Sequence, residues 1–173
     1  VKRPLAEPIL IGELTEVPRA APDPPAPPVW TAAIHECAMC KVVRDAQSHP
    51  IVAALDAALG DGRDGVRFHA GVEYRHLCVV PSDWADAECV PPHDLTGKPA
   101  VWPTGPAAPR LGALMRASRP VVTGVASEVG SIATQIWLWG QGVQPVLPAF
   151  GQRFGVEGRL TSAVDLVRGL GVL

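Results

Sequence analysis

Arg75 and His76 stand side by side in the run Tyr74-Arg75-His76, and His93, Asp94 and Lys98 follow in a proline-rich loop. Arginine brings a fork of donors matched to phosphate or carboxylate oxygens, lysine adds a point charge, and histidine donates one more hydrogen bond in either protonation state. Gathered in one place, these groups suit a small dianionic ligand. Asp94 is fitted to orient a histidine or receive a ligand hydroxyl, and equally to cap a turn. Taken alone, Arg75 reads as a partly exposed ion-pair partner, because an unpaired guanidinium is expensive to bury. A strand sends neighbouring side chains to opposite faces, so Arg75 and His76 share a pocket only where the strand bends or bulges.

Other chemistry-bearing patterns are weaker. Cys37 and Cys40 form a C-x-x-C pair with His35 just upstream, which raises a half zinc site or a redox dithiol. Cys78 and Cys89 are too widely spaced to supply the usual second half of such a zinc site, and Met39 takes the place of the second histidine in an H-E-x-x-H pattern. Small buried hydrophobes are the plainer reading of these cysteines. Asp61-Gly62-Arg63-Asp64-Gly65 looks like an acidic metal loop but stands where a connector belongs. The chain has neither a phosphate-cradling Gly-rich loop nor a nucleophile–base pair.

The elements that must carry the cationic cluster follow from pattern. Ile9-Leu10-Ile11 reads as a strand, and Pro18 to Pro28, with six prolines, as a loop or linker. Ile51, Val52, Leu55, Ala58 and Leu59 repeat at helical spacing from Pro50 up to Gly60. Val66 to Ala70 and Val72 to Val80 predict strands, and Pro81 to Lys98 a loop. Leu111, Leu114 and Met115 mark a helix stopped by the Ser118–Pro120 turn, with Val121 to Val125 extended after it. Ile136-Trp137-Leu138-Trp139-Gly140 predicts a buried strand with both tryptophans on one side, Leu160 to Ala163 extends again, and Val164 to Leu170 closes the chain as a helix. Helices alternating with strands predict an α/β layered domain whose central sheet, flanked by helices, is mixed or mainly parallel.

Composition sets the bounds. At 173 residues the chain is expected to form one domain over 1–173. Hydrophobic residues at 47% against 18% charged provide for a sizeable core. A net charge of −2 offers no general handle for nucleic acid or an anionic membrane. No apolar run approaches the ~18–20 residues of a membrane helix, so a soluble, cytoplasmic protein is expected. The opening on Val1 rather than Met reads as a processed product or a piece of something longer.

Four motifs occur in order: Gly71-Val72-Glu73-Tyr74-Arg75-His76-Leu77, Pro91-Pro92-His93-Asp94-Leu95-Thr96-Gly97-Lys98, Ile136-Trp137-Leu138-Trp139-Gly140-Gln141-Gly142 and Ser162-Ala163-Val164-Asp165-Leu166-Val167-Arg168-Gly169. Over residues 66–173 this series resembles the cofactor-independent (2,3-bisphosphoglycerate-independent) phosphoglycerate mutase family of archaeal type. Within that family it is similar to the domain inserted in an alkaline-phosphatase-like metalloenzyme core. The resemblance implies a full enzyme whose core holds two divalent metal ions (manganese, zinc or magnesium) and a transiently phosphorylated serine. It also implies an insert that binds no cofactor itself and grips phosphoglycerate while the 3- and 2-phosphoglycerates interconvert in glycolysis. By matching positions, Arg75, His76, His93, Asp94 and Lys98 become the implied substrate contacts, and the core domain of the parent chain the implied partner.

The same resemblance has gaps. The family's acidic metal-binding segments and serine loop have no match in this chain, which implies that the segment alone does not catalyse. An Asn-x-x-Arg stretch usually precedes the tryptophan motif. Residues 124–134 keep Ala133-Thr134 without that arginine, which opens the way to an altered substrate. Two further readings therefore stand beside the insert domain: a stand-alone binding protein for a phosphorylated acid, and a related metal-dependent phosphoryl-transfer enzyme acting on another substrate.

Overall fold

The computed structural model describes residues 9–15, 44–60, 65–95, 100–142, 147–162 and 165–172. Pro18 to Pro28, His35, Cys37, Cys40, Asp61 to Asp64 and Lys98 lie outside the described residues. The chain divides into two compact units, Val1–Val143 and Gln144–Leu173.

The first unit is built on a four-stranded sheet of β1 (Ile9–Thr15), β2 (Arg67–His69), β3 (Arg75–Val79) and β4 (Gln135–Gly142) in the order β2-β3-β1-β4. The α/β class holds, but the mixed or mainly parallel sheet is corrected: every ladder among the described strands is antiparallel. Residues 70–74 alone join β2 to β3, far too short for the crossover a parallel pair requires. β3 and β4, with a helix between them in sequence, do run in the same direction. β1 lies between them and pairs antiparallel with both, so the helix–strand alternation produces no parallel ladder.

Among the described residues, two helices supply the other layer. α1 (Asp45–Leu59) buries Ile51, Val52 and Leu55, the helical spacing expected, but starts ahead of Pro50. Its early start is fixed by Gln47, whose side-chain oxygen accepts the Arg44 N–H (3.2 Å) while its amide donates to the Gly130 carbonyl (2.9 Å). That satisfies a terminal amide of one helix and the C-cap carbonyl of the other together.

α2 (Ala108–Val129) runs straight through the predicted Ser118–Pro120 stop and the predicted Val121 to Val125 strand. Leu111, Met115, Ser118, Val122 and Ala126 are all buried along it. Their helical period continues across the proline, and packing of that stripe outweighs both the lost amide and the β-branched residues. At Gly130 the backbone enters the left-handed region (φ 65°) and the helix ends. α1 packs on α2 and β2, and α2 on β4. Ile51, Leu55, Val80, Leu111, Met115 and Leu138 are fully buried between the layers.

The second unit contains α3 (Phe150–Phe154) and α4 (Asp165–Leu170), the latter matching the predicted closing helix. Residues 157–162 carry no regular element, so no paired strand forms at Leu160 to Ser162.

Candidate functional site

Register decides which side chains share a face. Arg75 stands opposite Glu13 and Glu13 opposite Trp137, while Leu77 stands opposite Ile11 and Ile11 opposite Trp139. Directly opposed residues point to the same side, so Arg75, Leu77, Trp137 and Trp139 belong to one face. His76, Cys78, Ile136 and Leu138 belong to the other, helix-covered face and are all buried.

On the Arg75 face, the segment after β3 folds back over β4. The indole N–H of Trp137 donates to the Val90 carbonyl (3.0 Å), and Trp102 lies against the same ring at 6.0 Å. A short 3-10 turn follows at Pro92–Leu95, anchored by buried Pro92 and Leu95. It presents His93 and Asp94 exposed to solvent, with His93 Nε2 3.9 Å from the Asp94 carboxylate. The His93 ring meets Trp139 edge-on, with centroids 5.1 Å apart and planes at 83°, an arrangement favoured by the ring quadrupole. His93 therefore sits on the same side of the sheet as Arg75.

The guanidinium of Arg75 lies 4.4 Å over the Tyr74 ring and donates to the Tyr74 hydroxyl. Stacking on an aromatic face leaves the remaining N–H groups of a guanidinium available to acceptors. Leu77, two residues on, is 40% exposed, so the sheet is uncovered at that point. Arg75, His93 and Asp94 thus share one side, two of them pinned by aromatic contacts.

His76 is not brought to that side. Only 4% exposed, it faces the N-terminal turn of α1, and its Nδ1 accepts the Gly71 N–H at 3.1 Å. Burial above all, with His49 as a second cause, lowers its pKa from 6.5 to about 4, because a buried imidazole resists charging. The residues that sequence reasoning misses are Tyr74 and Trp139 as aromatic rests for the site, and Asp45 and His49 behind it. Asp45 and His49 are four apart on a helix, and that spacing, which places both on one face, is the signal that could have found them.

Of the two described cysteines, Cys78 is buried and Cys89 half-buried. Burial pushes the Cys78 thiol up to about 12 and the Cys89 thiol up to about 11. Among the described residues no three His, Cys, Asp or Glu side chains gather as a metal-holding group, so the described part of this chain does not fit the two divalent ions that the resemblance implies. No described helix is long and apolar enough to cross a membrane.

Comparison with known proteins agrees with the motif series. A protein related at 37% identity over 142 residues, named "Probable 2,3-bisphosphoglycerate-independent phosphoglycerate mutase", comes from Geobacter sulfurreducens and aligns over 75% of this chain and 34% of its own length. The 2,3-bisphosphoglycerate-independent phosphoglycerate mutase of Methanosarcina acetivorans is 37% identical over 131 residues, covering 70% of this chain and 32% of its own. A solved cofactor-independent phosphoglycerate mutase from Thermoplasma acidophilum aligns over 85% of this chain and 40% of that one, with 17% identity and a TM-score of 0.43. The chain spans about a third of the length of the curated relatives it matches. The family model described as 2,3-bisphosphoglycerate-independent phosphoglycerate mutase matches residues 34–124, which takes in α1 as well as the Arg75 and His93 motifs, and the chain belongs to that family.

Proposed function

We propose that this chain is the substrate-binding insert of a phosphoglycerate mutase that interconverts 3-phosphoglycerate and 2-phosphoglycerate, with the metal ions and the serine carried by a part of the protein outside it. The observation that carries the reading is the placement of Arg75 and His93 on one side of the sheet in a chain of this family. A phosphoglycerate bears a carboxylate at one end and a phosphate on a neighbouring carbon. Arg75 offers parallel donors to one anionic group, and His93 offers a ring donor to the other. Asp94 beside His93 is suited to orienting that imidazole or to accepting the free hydroxyl of the substrate. Lys98, three residues beyond the 3-10 turn, adds a cation to the same loop.

In this division of labour the insert orients and the remainder reacts. Holding both ends of the substrate leaves the phosphoryl group presented to a nucleophile in one geometry, the contribution that positioning makes to a rate. The partner is the metalloenzyme core of the parent protein, and the expected setting is the cytoplasm, where a glycolytic acid is met.

Calorimetry of the intact protein with 3-phosphoglycerate tests the reading. Arg75→Ala is expected to weaken binding about tenfold or more, since a charge-assisted hydrogen bond is worth ~1.5–3 kcal/mol. Undiminished affinity in that variant, or no heat in the wild type, would remove the proposal.

A further inference from the structure

The turn that leads into Arg75 is clasped from behind. Its Gly71 carbonyl is hydrogen-bonded by Nε2 of His49 at 3.0 Å, and its Gly71 N–H donates to Nδ1 of His76 at 3.1 Å. A carbonyl only accepts and an amide N–H only donates, so both imidazoles have assigned tautomers. His49 carries a proton on Nε2 and His76 carries none on Nδ1. Neutral His76 then bears its proton on Nε2, an atom buried without a hydrogen-bond partner.

The rest of the turn is equally constrained. A Cβ on residue 71 would stand 2.4 Å from the Arg75 carbonyl oxygen, so only glycine fits. Glu73 has φ 58°, the one non-glycine residue in the left-handed region among those described, and its N–H is held by the Asp45 carboxylate at 2.6 Å. Such a conformation persists only where its surroundings over-determine it. The Arg75 amide closes the turn on the Val72 carbonyl at 3.1 Å. The charged or titratable groups facing His76 are Asp45 and His49 of α1, with the Glu73 main chain beside them.

We infer that His76 is a positioning residue: its unprotonated Nδ1 locks the Gly71 turn and so fixes where β3 presents Arg75 on the opposite side of the sheet, without His76 touching the ligand. The inference rests on Arg75 being the anion-binding residue. It accounts for a histidine in a binding motif that faces the core, and for the burial that keeps its acceptor nitrogen unprotonated at neutral pH. A histidine that met a phosphate directly would be open to solvent and would gain from protonation.

The test uses His76→Leu, which keeps the apolar volume and loses the acceptor, and His76→Asn, whose amide oxygen falls near the place of Nδ1. Nitrogen NMR of the intact protein is expected to show the Nε2–H tautomer at neutral pH. The Gly71 amide and the Arg75 side-chain signals should shift together in His76→Leu and return towards wild type in His76→Asn. Affinity for 3-phosphoglycerate should fall about tenfold in the leucine variant, with most of it restored by asparagine.

Wild-type affinity in His76→Leu, an equal loss in both variants, or a proton on Nδ1 would overturn the assignment. Should the leucine variant fail to fold, acid titration of the wild type decides: Gly71 and Arg75 signals must move with the midpoint of the His76 imidazole, and separate midpoints refute the coupling. A wild type that binds no phosphoglycerate sinks the substrate reading alone, because the NMR signals still show whether His76 holds the turn.

Discussion

At His76, protonation and folding compete, because the ring is buried on the helix side of the sheet with its pKa lowered to about 4. In the unfolded chain the same ring titrates at 6.5. Between these values the unfolded state binds the proton more readily, so stability rises with pH across that window. The stabilisation is complete above about pH 6.5 and declines as pH falls towards 4, by roughly 3 kcal/mol in all. Urea unfolding near pH 7 and near pH 5 should show about 2 kcal/mol of this loss in the wild type and a much flatter profile in His76→Asn; equal slopes would contradict the burial argument. Cys78, pushed up to about 12, makes a second case. The thiolate is the reactive species, so an alkylating reagent near pH 8 should leave native Cys78 unmodified and label it once urea unfolds the protein. At this scale the sequence is informative about face and silent about partners. The period of two in a strand separates Arg75 from His76 without any structure, whereas the edge-on meeting of His93 and Trp139 joins residues far apart in the chain, and no local spacing encodes it.

Among the elements, α2 shows how a polar residue ties a helix to a strand edge. Ser118, fully buried, donates from Oγ to the Met115 carbonyl (2.7 Å) and accepts the N–H of Ile136 on β4 (3.1 Å). β4 is one of the two outer strands of the described sheet, and an exposed row of strand amides invites unwanted pairing. Ser118→Ala would leave the Ile136 N–H buried and unsatisfied, at a cost of about 1–3 kcal/mol, seen as a lower urea midpoint with the slope unchanged. No change in midpoint would show that water replaces the hydroxyl. The serine also explains why sequence alone misjudges this helix. Ser118, Arg119 and Pro120 have the composition of a turn, and Val121 to Val125 that of a strand. Only the buried stripe from Leu111 to Ala126, read across the proline, favours helix, and that stripe outweighs local preference once β4 and α1 provide surfaces to cover it. β1 is visible as Ile9-Leu10-Ile11, but its position between β3 and β4 is not, because strand order depends on long-range pairing and not on the residues of any one strand.

For the whole molecule, the governing facts are that the chain matches a third of the length of its relatives and that Arg75 and His93 share one side of its sheet. The proposed division between holding and reacting predicts that binding and turnover are separable properties. A ligand that binds only the folded state stabilises it by RT ln(1 + [L]/Kd), about 1.4 kcal/mol at tenfold excess over Kd. For a domain of this size that corresponds to a rise in Tm of roughly 3–6 °C. The 173-residue chain warmed with excess 3-phosphoglycerate should show that rise, and Arg75→Ala should lose most of it. In the same sample 2-phosphoglycerate should not accumulate, whereas on the proposed reading a protein joining this chain to a metal-bearing core should form it. Interconversion by the short chain by itself would mean that the reacting groups lie within these residues, and the division between holding and reacting would have to be abandoned. A thermal rise without turnover, abolished at Arg75, would instead locate substrate recognition on the face that β3 and the Pro92–Leu95 turn create together.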